Sequence, residues 1–123
     1  MGTEVSAVAT SPSPPLYAKA GYLVFAGGHL PRLPDGSVPE DFAAQVRLVL
    51  EKLATTLDEA GSGLDRLVKV NAYLADIDRL PEFNAIYYEV LDGLPLPPRT
   101  AVEVARFRDS SLLEVEAIAR AKT

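Results

Sequence analysis

The stretch LLEVEAIAR at residues 112–120 decides the fold, because a strand with this alternation has two chemically different faces. Every second residue is apolar and suits a face that helices cover: Leu113, Val115, Ala117 and Ala119. The residues between them point the other way: Glu114, Glu116 and Ile118. The alternation therefore predicts a strand in a sheet that is covered by helices on one side only.

Two helices are predicted before this strand, which is enough to cover one face of a sheet. The first spans 41–60 and has an apolar stripe at helical spacing: Phe42, Val46, Val49, Leu50, Leu53 and Leu57. Gln45 is expected to lie off this stripe. The second helix spans 79–91, and Asp78 is expected to cap its first turn.

Four further strands are predicted at 16–19, 23–26, 67–74 and 101–105. Gly21 allows the first two to form a hairpin, and Gly27-Gly28 is expected to end the second. The resulting order is β-β-α-β-α-β-β. It places the chain in the α+β class, with two helices on one face of a mixed sheet.

The uncovered face of this sheet is predicted to be an oligomer interface that contains a wet cleft. It would carry Tyr73 and Ile118 beside the glutamates, Lys69 and Asn71. This mixture is too polar for a second core and too apolar for a plain solvated surface. A further copy of the chain would cover it.

The composition is that of a single globular domain. A chain of 123 residues with 48% hydrophobic and 24% charged residues has room for one domain with one core. That domain is expected at 16–123, after a tail at 1–15 that is rich in Ser, Pro, Ala and Thr. The tail lacks the basic start and apolar segment of a secretory signal, so the cytoplasm is the expected location.

Charge and cysteine content argue against several classes of function. A formal net charge of -5, with lysines and arginines scattered along the sequence, argues against nucleic acid as a partner. No apolar run approaches the ~18 residues of a membrane-spanning helix. With no cysteine and one histidine, disulfides, thiolate metal sites and a cysteine nucleophile are excluded, and no zinc site is expected.

Three groups of residues are candidates for binding or catalysis. Arg99 follows two prolines and could hold a carboxylate through paired hydrogen bonds, although a surface arginine is the alternative interpretation. Glu114 and Glu116 share a strand face, where repulsion could raise one pKa for proton transfer; a solvated face is the alternative. His29, the single histidine, could act as an acid or base, or be an ordinary loop histidine.

These candidates lie within segments that resemble the RidA (YjgF-like) family of imine/enamine deaminases. The segments are LVFAGGHLP (23–31), LVKVNAYLADID (67–78), FNAIYYEVL (83–91), PPRTAVEVARF (97–107) and LEVEAIA (113–119). The last two are the most specific. The similarity covers about 17–120, in order and with matching spacing.

The resemblance implies a chorismate-mutase-like fold and a homotrimer with three clefts between its subunits. It also implies an activity: hydrolysis of 2-imino acids, formed from enamines such as 2-aminoacrylate, to 2-keto acids and ammonia. The expected ligand is thus a small imino or keto acid. Neither a metal nor an organic cofactor is needed by an enzyme of this family.

The resemblance also implies roles for individual residues. Arg99 would grip the substrate carboxylate, and Glu114 would position the attacking water. An imine carbon is already electrophilic, so an anchor, a placed water and a proton route suffice for its hydrolysis. The remaining substrate contacts are expected from Tyr17, Gly28, His29, Asn84, Tyr87 and Ala101.

Three positions depart from the family pattern. Gly27 stands where the family has serine, His29 where it has glutamine, and Ala101 where it often has cysteine. The first two changes alter the cleft wall and indicate a different substrate or a specialised member. Three functions therefore stay open: an imine/enamine deaminase, a pathway-specific enzyme that uses His29, and a non-catalytic trimer that binds small carboxylates or partner proteins.

Overall fold

Five strands form a single sheet in the computed structural model, which describes residues 13–123. The strands are β1 (Tyr17–Ala20), β2 (Leu23–His29), β3 (Leu67–Leu74), β4 (Arg99–Glu103) and β5 (Leu113–Arg120). Their spatial order is β1-β2-β5-β3-β4, with β3 and β4 parallel and all other neighbours antiparallel. The strand with the two-faced pattern, β5, is therefore the central strand of a mixed sheet.

Two helices cover one face of this sheet, as the sequence predicts. Helix α1 spans Phe42–Glu59 and begins after Asp41, whose carboxylate accepts a hydrogen bond from the Ala44 amide at 2.9 Å. Helix α2 spans Leu80–Val90. The apolar residues of β5 are at most 3% exposed: Leu113, Val115, Ala117 and Ala119. The α+β class and the β-β-α-β-α-β-β order are thereby confirmed.

Strand β2 is longer than predicted. It continues through Gly27-Gly28 to His29, and its register with β5 shifts between Ala26 and His29. Such a shift is a β-bulge, which kinks a strand without ending it. The Gly27 amide stays within the sheet by donating to the Leu16 carbonyl at 2.9 Å. His29 is therefore a strand residue, and the prediction that Gly27-Gly28 ends the strand before it is wrong.

The predicted cap of the second helix and the predicted start of β4 are also wrong. Asp78 does not cap α2, because Ile77–Arg79 forms a 3-10 turn before the helix and α2 has no side-chain cap. Strand β4 begins at Arg99, two residues before its predicted start. Parallel pairing starts this early because the Pro98 carbonyl accepts a hydrogen bond from the Val70 amide at 3.1 Å.

Gln45 is buried rather than off the apolar stripe of α1. Its residue exposure is 1%. The side-chain amide donates to the Pro39 carbonyl at 2.7 Å, and its oxygen accepts from the Leu112 amide at 2.7 Å. Burial of a glutamine is tolerated because both ends of its amide are satisfied. Gln45 thus fixes the start of β5 against the loop before α1.

The predicted tail at 1–15 lies almost wholly outside the described residues, which begin at 13. Within residues 13–123, neither helix has the length and apolar character that crossing a membrane requires.

Candidate active site

Arg99 opens β4 and lies against aromatic side chains of α2. Its guanidinium carbon is 4.8 Å from the centre of the Tyr87 ring, 5.5 Å from that of Phe83 and 5.8 Å from that of Tyr88. Cations are attracted to the faces of aromatic rings at these distances. The helix-covered side of β4 therefore holds the Arg99 charge in place without a carboxylate partner among the described residues.

Three polar atoms at this junction of α2 and β4 are buried and lack a hydrogen-bond partner among residues 13–123: Asn84 Oδ1, Tyr87 Oη and Arg99 Nη1. Asn84 and Tyr87 are three residues apart on α2, so they share one side of the helix. Burial raises the pKa of the Tyr87 phenol, while the Arg99 charge opposes the rise, so the hydroxyl stays a neutral donor. Unsatisfied buried polar groups are rare in proteins and often mark a binding site.

Ala101 adds backbone groups to the same region. Strand β4 lies at the edge of the sheet. On its inner side, the Pro98 carbonyl pairs with Val70, and the Val104 amide donates to the Leu74 carbonyl at 2.9 Å. Along a strand, the backbone amide and carbonyl of successive residues point alternately toward one neighbouring strand and the other. Because Pro98 and Val104 pair with β3, the amide and carbonyl of Ala101 point outward along the free edge. We call Arg99, Asn84, Tyr87 and Ala101 the Arg99 cluster.

Glu114 lies on the opposite face of the sheet, at the start of β5, and its side chain rests against the backbone of Gly28. A Cβ atom at Gly28 would lie 2.8 Å from the Glu114 Cδ, a distance that real Cβ contacts do not show. Position 28 therefore has to be glycine for the carboxylate to occupy this place. The backbone at Gly28 thus approaches the Glu114 side chain closely. We call Glu114, Gly28 and Glu116 the Glu114 cluster.

The two glutamates of the Glu114 cluster differ in their surroundings. Burial raises the pKa of Glu114, the charge of Glu116 raises it further, and Arg32 opposes the shift. Glu116 instead accepts hydrogen bonds from the Tyr73 hydroxyl at 2.7 Å and the Asn71 amide at 3.0 Å. Repulsion between the carboxylates thus acts in the expected direction, although burial is the larger cause. Glu114 is therefore the glutamate whose pKa is shifted toward neutral pH.

His29 lies on the helix-covered face, away from the Glu114 carboxylate. It is in register with Val115, and its residue exposure is 2%. Nδ1 lies 2.6 Å from the Gly27 carbonyl and Nε2 lies 2.8 Å from the Thr56 hydroxyl, so both nitrogens have protein partners. Burial lowers the His29 pKa, which favours the neutral ring. The imidazole is therefore not brought to Glu114 or Arg99, contrary to the expectation that it lines a shared cleft.

Tyr17 lies far from the Arg99 cluster in the sheet. It begins β1, opposite Ala26, and packs partly against the core. Strand β1 forms one edge of the sheet and β4 forms the other. Tyr17 thus belongs to the half of the sheet that carries Gly28 and Glu114.

One chain does not bring Arg99 and Glu114 together. Arg99 is paired with Val70 of β3, and Glu114 is paired with Tyr73, three residues further along the same strand. Two strand spacings and three residue rises separate their Cα atoms by roughly 14 Å on an ideal sheet. The side chains also point to opposite faces. The chain therefore presents the two clusters as separate, incomplete sites.

Sequence reasoning missed a depression beside Glu114. Its cavity is about 360 Å³ and includes three arginines and a phenylalanine beside two carboxylates: Arg32, Arg106, Arg108, Phe107, Asp109 and Glu114. The arginines are not scattered in space, which corrects the expectation from the sequence. In the sequence, only the close spacing of Arg106 and Arg108 indicates a cluster of positive charge. Arg32 is remote from them in the sequence, so its place in the cluster could not be predicted. In the described part of the chain, no group of three or more His, Asp or Glu side chains could hold a metal ion.

Comparison with known proteins gives consistent matches. A family model described as Endoribonuclease L-PSP matches residues 6–121. The mitochondrial protein mmf2 of Schizosaccharomyces pombe is 40% identical over 104 residues, covering 82% of each chain. TdcF of Escherichia coli, which is named as a proposed reactive intermediate deaminase, is 32% identical over 102 residues, covering 80% of this chain and 79% of its own.

Solved structures confirm the fold. A crystal structure of E. coli TdcF with bound serine superposes with a TM-score of 0.84 at 30% identity, covering 93% of this chain and 91% of that one. A crystal structure of yeast Mmf1 gives a TM-score of 0.83 at 33% identity, covering 94% and 90%. The arrangement of two helices on a mixed five-stranded sheet is the chorismate-mutase-like fold of these proteins.

Proposed function

Because this chain belongs to the YjgF/RidA family, whose model is described as Endoribonuclease L-PSP, we propose that it hydrolyses 2-imino acids to 2-keto acids and ammonia. The observation that carries the proposal is the Arg99 guanidinium, which is held by aromatic rings while its buried Nη1 has no acceptor among residues 13–123. A substrate carboxylate supplies that acceptor, and arginine binds carboxylates with paired hydrogen bonds.

The Arg99 cluster binds the common part of every substrate. Arg99 binds the carboxylate at C1, and the outward amide and carbonyl of Ala101 form further hydrogen bonds to the substrate. Asn84 and Tyr87 contribute the two other buried polar atoms that lack partners in the described chain. A serine bound to E. coli TdcF supports this class of ligand, since serine is a small molecule with a carboxylate.

The Glu114 cluster performs the chemistry. Glu114 accepts a proton from water as the water oxygen bonds to the carbon of the protonated imine, and it returns that proton to the nitrogen of the resulting carbinolamine. It then accepts the hydroxyl proton as the C=O bond forms and the C–N bond breaks, and the departing ammonia takes up this proton as ammonium. The raised pKa of Glu114 supports both steps, because it brings proton uptake closer to neutral pH. Tyr17 lines the cleft, as in the family pattern. The proposed reaction needs no metal or organic cofactor.

The complete site forms between copies of the chain in a homotrimer. Arg99 and Glu114 lie on opposite faces and two strands apart, so one copy provides the Arg99 cluster and its neighbour the Glu114 cluster. The uncovered sheet face supports this assembly, because Phe25 and Val102 are 40% and 41% exposed there. Sedimentation analysis should give three times the chain mass. A stable monomer at micromolar concentration would rule out a shared site.

The activity is tested by generating imino acids in situ with an amino acid oxidase and measuring keto acid release. The protein should raise the rate above that of spontaneous hydrolysis for at least some side chains. Arg47→Ala is a matched control, because Arg47 is an exposed arginine that belongs to neither cluster. Its Nη1 lies 2.9 Å from the Glu89 carboxylate. If no side chain in the panel gives a rate above buffer, while keto acids still bind, the chain is a carboxylate-binding protein and not an enzyme.

A further inference from the structure

We propose that the depression beside Glu114 selects imino acids whose side chain ends in a second carboxylate. This inference rests on the proposed function and names the substrate class for the same site. The arginines of the depression would bind the far carboxylate of a four- or five-carbon dicarboxylic substrate. We call Arg32, Arg106 and Arg108 the arginine wall.

The arginine wall has free positive charge. Among the described residues, neither Arg106 nor Arg108 forms a salt bridge or a side-chain hydrogen bond, and both are exposed. Arg32 is partly engaged, since its Nε donates to Asp109 Oδ2 at 2.7 Å. Three arginines thus face two carboxylates, Asp109 and Glu114, on a chain whose formal net charge is -5. A local excess of positive charge on an acidic protein indicates a site for a small anion.

Asp109 positions one residue of the arginine wall, Arg32, through a hydrogen bond. Hydrogen bonds from Ser111 and Arg32 lower its pKa to about 2, so it is ionised at every working pH. The Ser111 amide donates to Asp109 Oδ1 at 2.9 Å, which leaves Oδ2 for Arg32. The aspartate therefore fixes the direction of the Arg32 side chain through Nε and leaves the two terminal nitrogens of the guanidinium for another acceptor.

The position of the wall fits the far end of a substrate. Glu114 borders the same depression, so a carbon atom attacked by water at Glu114 lies at its mouth. The C1 carboxylate is held by Arg99 of the neighbouring copy, which leaves the substrate side chain to enter the depression. A cavity of about 360 Å³ holds a short side chain with its carboxylate. An extended polyanion would meet the acidic remainder of the surface, so a small dianion is the better fit.

The first experiment measures binding and does not depend on turnover. The full chain is titrated calorimetrically with 2-oxoglutarate and with 2-oxopentanoate, which has the same five-carbon chain without the terminal carboxylate. We expect 2-oxoglutarate to bind at least about tenfold more tightly at low salt, with the preference decreasing as salt rises. Equal affinities would overturn the inference even if the imine assay succeeds. Conversely, a preference for 2-oxoglutarate without imine turnover would contradict only the proposed reaction.

The variants Arg106→Ala and Arg108→Ala assign the preference to the wall. Each should lower the ratio of the two affinities several-fold, and Arg108→Glu should abolish it, while Arg47→Ala should leave the ratio unchanged. A ratio that stays at its original value in Arg108→Glu, with the thermal unfolding curve unchanged, would overturn the inference. Binding of a single-stranded RNA oligonucleotide that these substitutions remove, without any preference between the keto acids, would also overturn it.

Discussion

The Arg99 cluster and the Glu114 cluster are built by opposite means. Arg99 is held by contact, because three aromatic rings of α2 lie within 5.8 Å of its guanidinium carbon. Glu114 is held by the absence of a side chain, because a Cβ atom at Gly28 would occupy the place of its carboxylate. Arg99, the proposed anchor, is thus fixed by packing on the helix-covered face, and Glu114, the proposed base, is placed by free space on the open face. Substitutions should therefore separate binding from turnover.

The largest effect is expected from removing the anchor. Arg99→Ala should lower kcat/KM by roughly 30- to 1000-fold, about 2–4 kcal/mol, because a charge-assisted contact with the substrate carboxylate is lost. Arg99→Lys should not restore full activity, since lysine keeps the charge but lacks the planar fork. Titration with pyruvate should show the same loss of affinity. If Arg99→Ala binds and turns over like the parent, Arg99 is only a surface arginine.

Removing the proposed base, Glu114, should lower turnover and leave the affinity for carboxylate ligands unchanged. Glu114→Gln is expected to lower kcat roughly 100-fold, because the attacking water loses its proton acceptor. The affinity for pyruvate, measured by the same titration, should change little. A loss of pyruvate binding equal to that of Arg99→Ala would show that the two clusters do not divide the work in this way.

A smaller effect should follow from filling the space under the carboxylate. Gly28→Ala places a Cβ atom against Glu114, so the carboxylate has to move and kcat should fall about tenfold. Gly27→Ala is the matched control, because a Cβ atom there has no neighbour closer than the Leu16 carbonyl at 3.7 Å. Equal rates for the two alanine variants would remove the steric explanation for Gly28.

The smallest effect concerns His29, which lies outside both clusters. Burial lowers the His29 pKa in the folded protein. Near pH 6.5 the imidazole is therefore protonated in the unfolded chain but stays neutral in the folded chain. Stability should therefore fall as the pH drops from 7.5 to 5.5, by up to about 1 kcal/mol for one such group. His29→Gln should remove this part of the dependence in urea unfolding. A pH profile of kcat that changes in this variant would instead return His29 to the active site.

The sequence predicted those features that depend on local periodicity. Strand β3 occupies the predicted residues 67–74, and the two faces of β5 are as its alternation indicates. Both features follow from residues that are neighbours along one strand.

The features that sequence reasoning missed depend on residues brought together from distant positions. Gln45 is buried because Pro39 and Leu112 satisfy its amide. His29 faces Thr56 because β2 continues through a bulge that no local pattern marks. The arginine wall joins Arg32 to a loop more than seventy residues later. None of these long-range contacts produces a periodic pattern in the sequence, so only the tertiary structure reveals them.

The most direct test of a site shared between two copies is complementation between two inactive variants. Arg99→Ala and Glu114→Gln are unfolded together, refolded as a mixture and assayed for keto acid release from imino acids. In random trimers, about a quarter of the interfaces pair an intact Arg99 with an intact Glu114, so roughly a quarter of the parent activity should return. A mixture that refolds to trimers and stays as inactive as either variant alone would contradict a site divided between neighbouring copies.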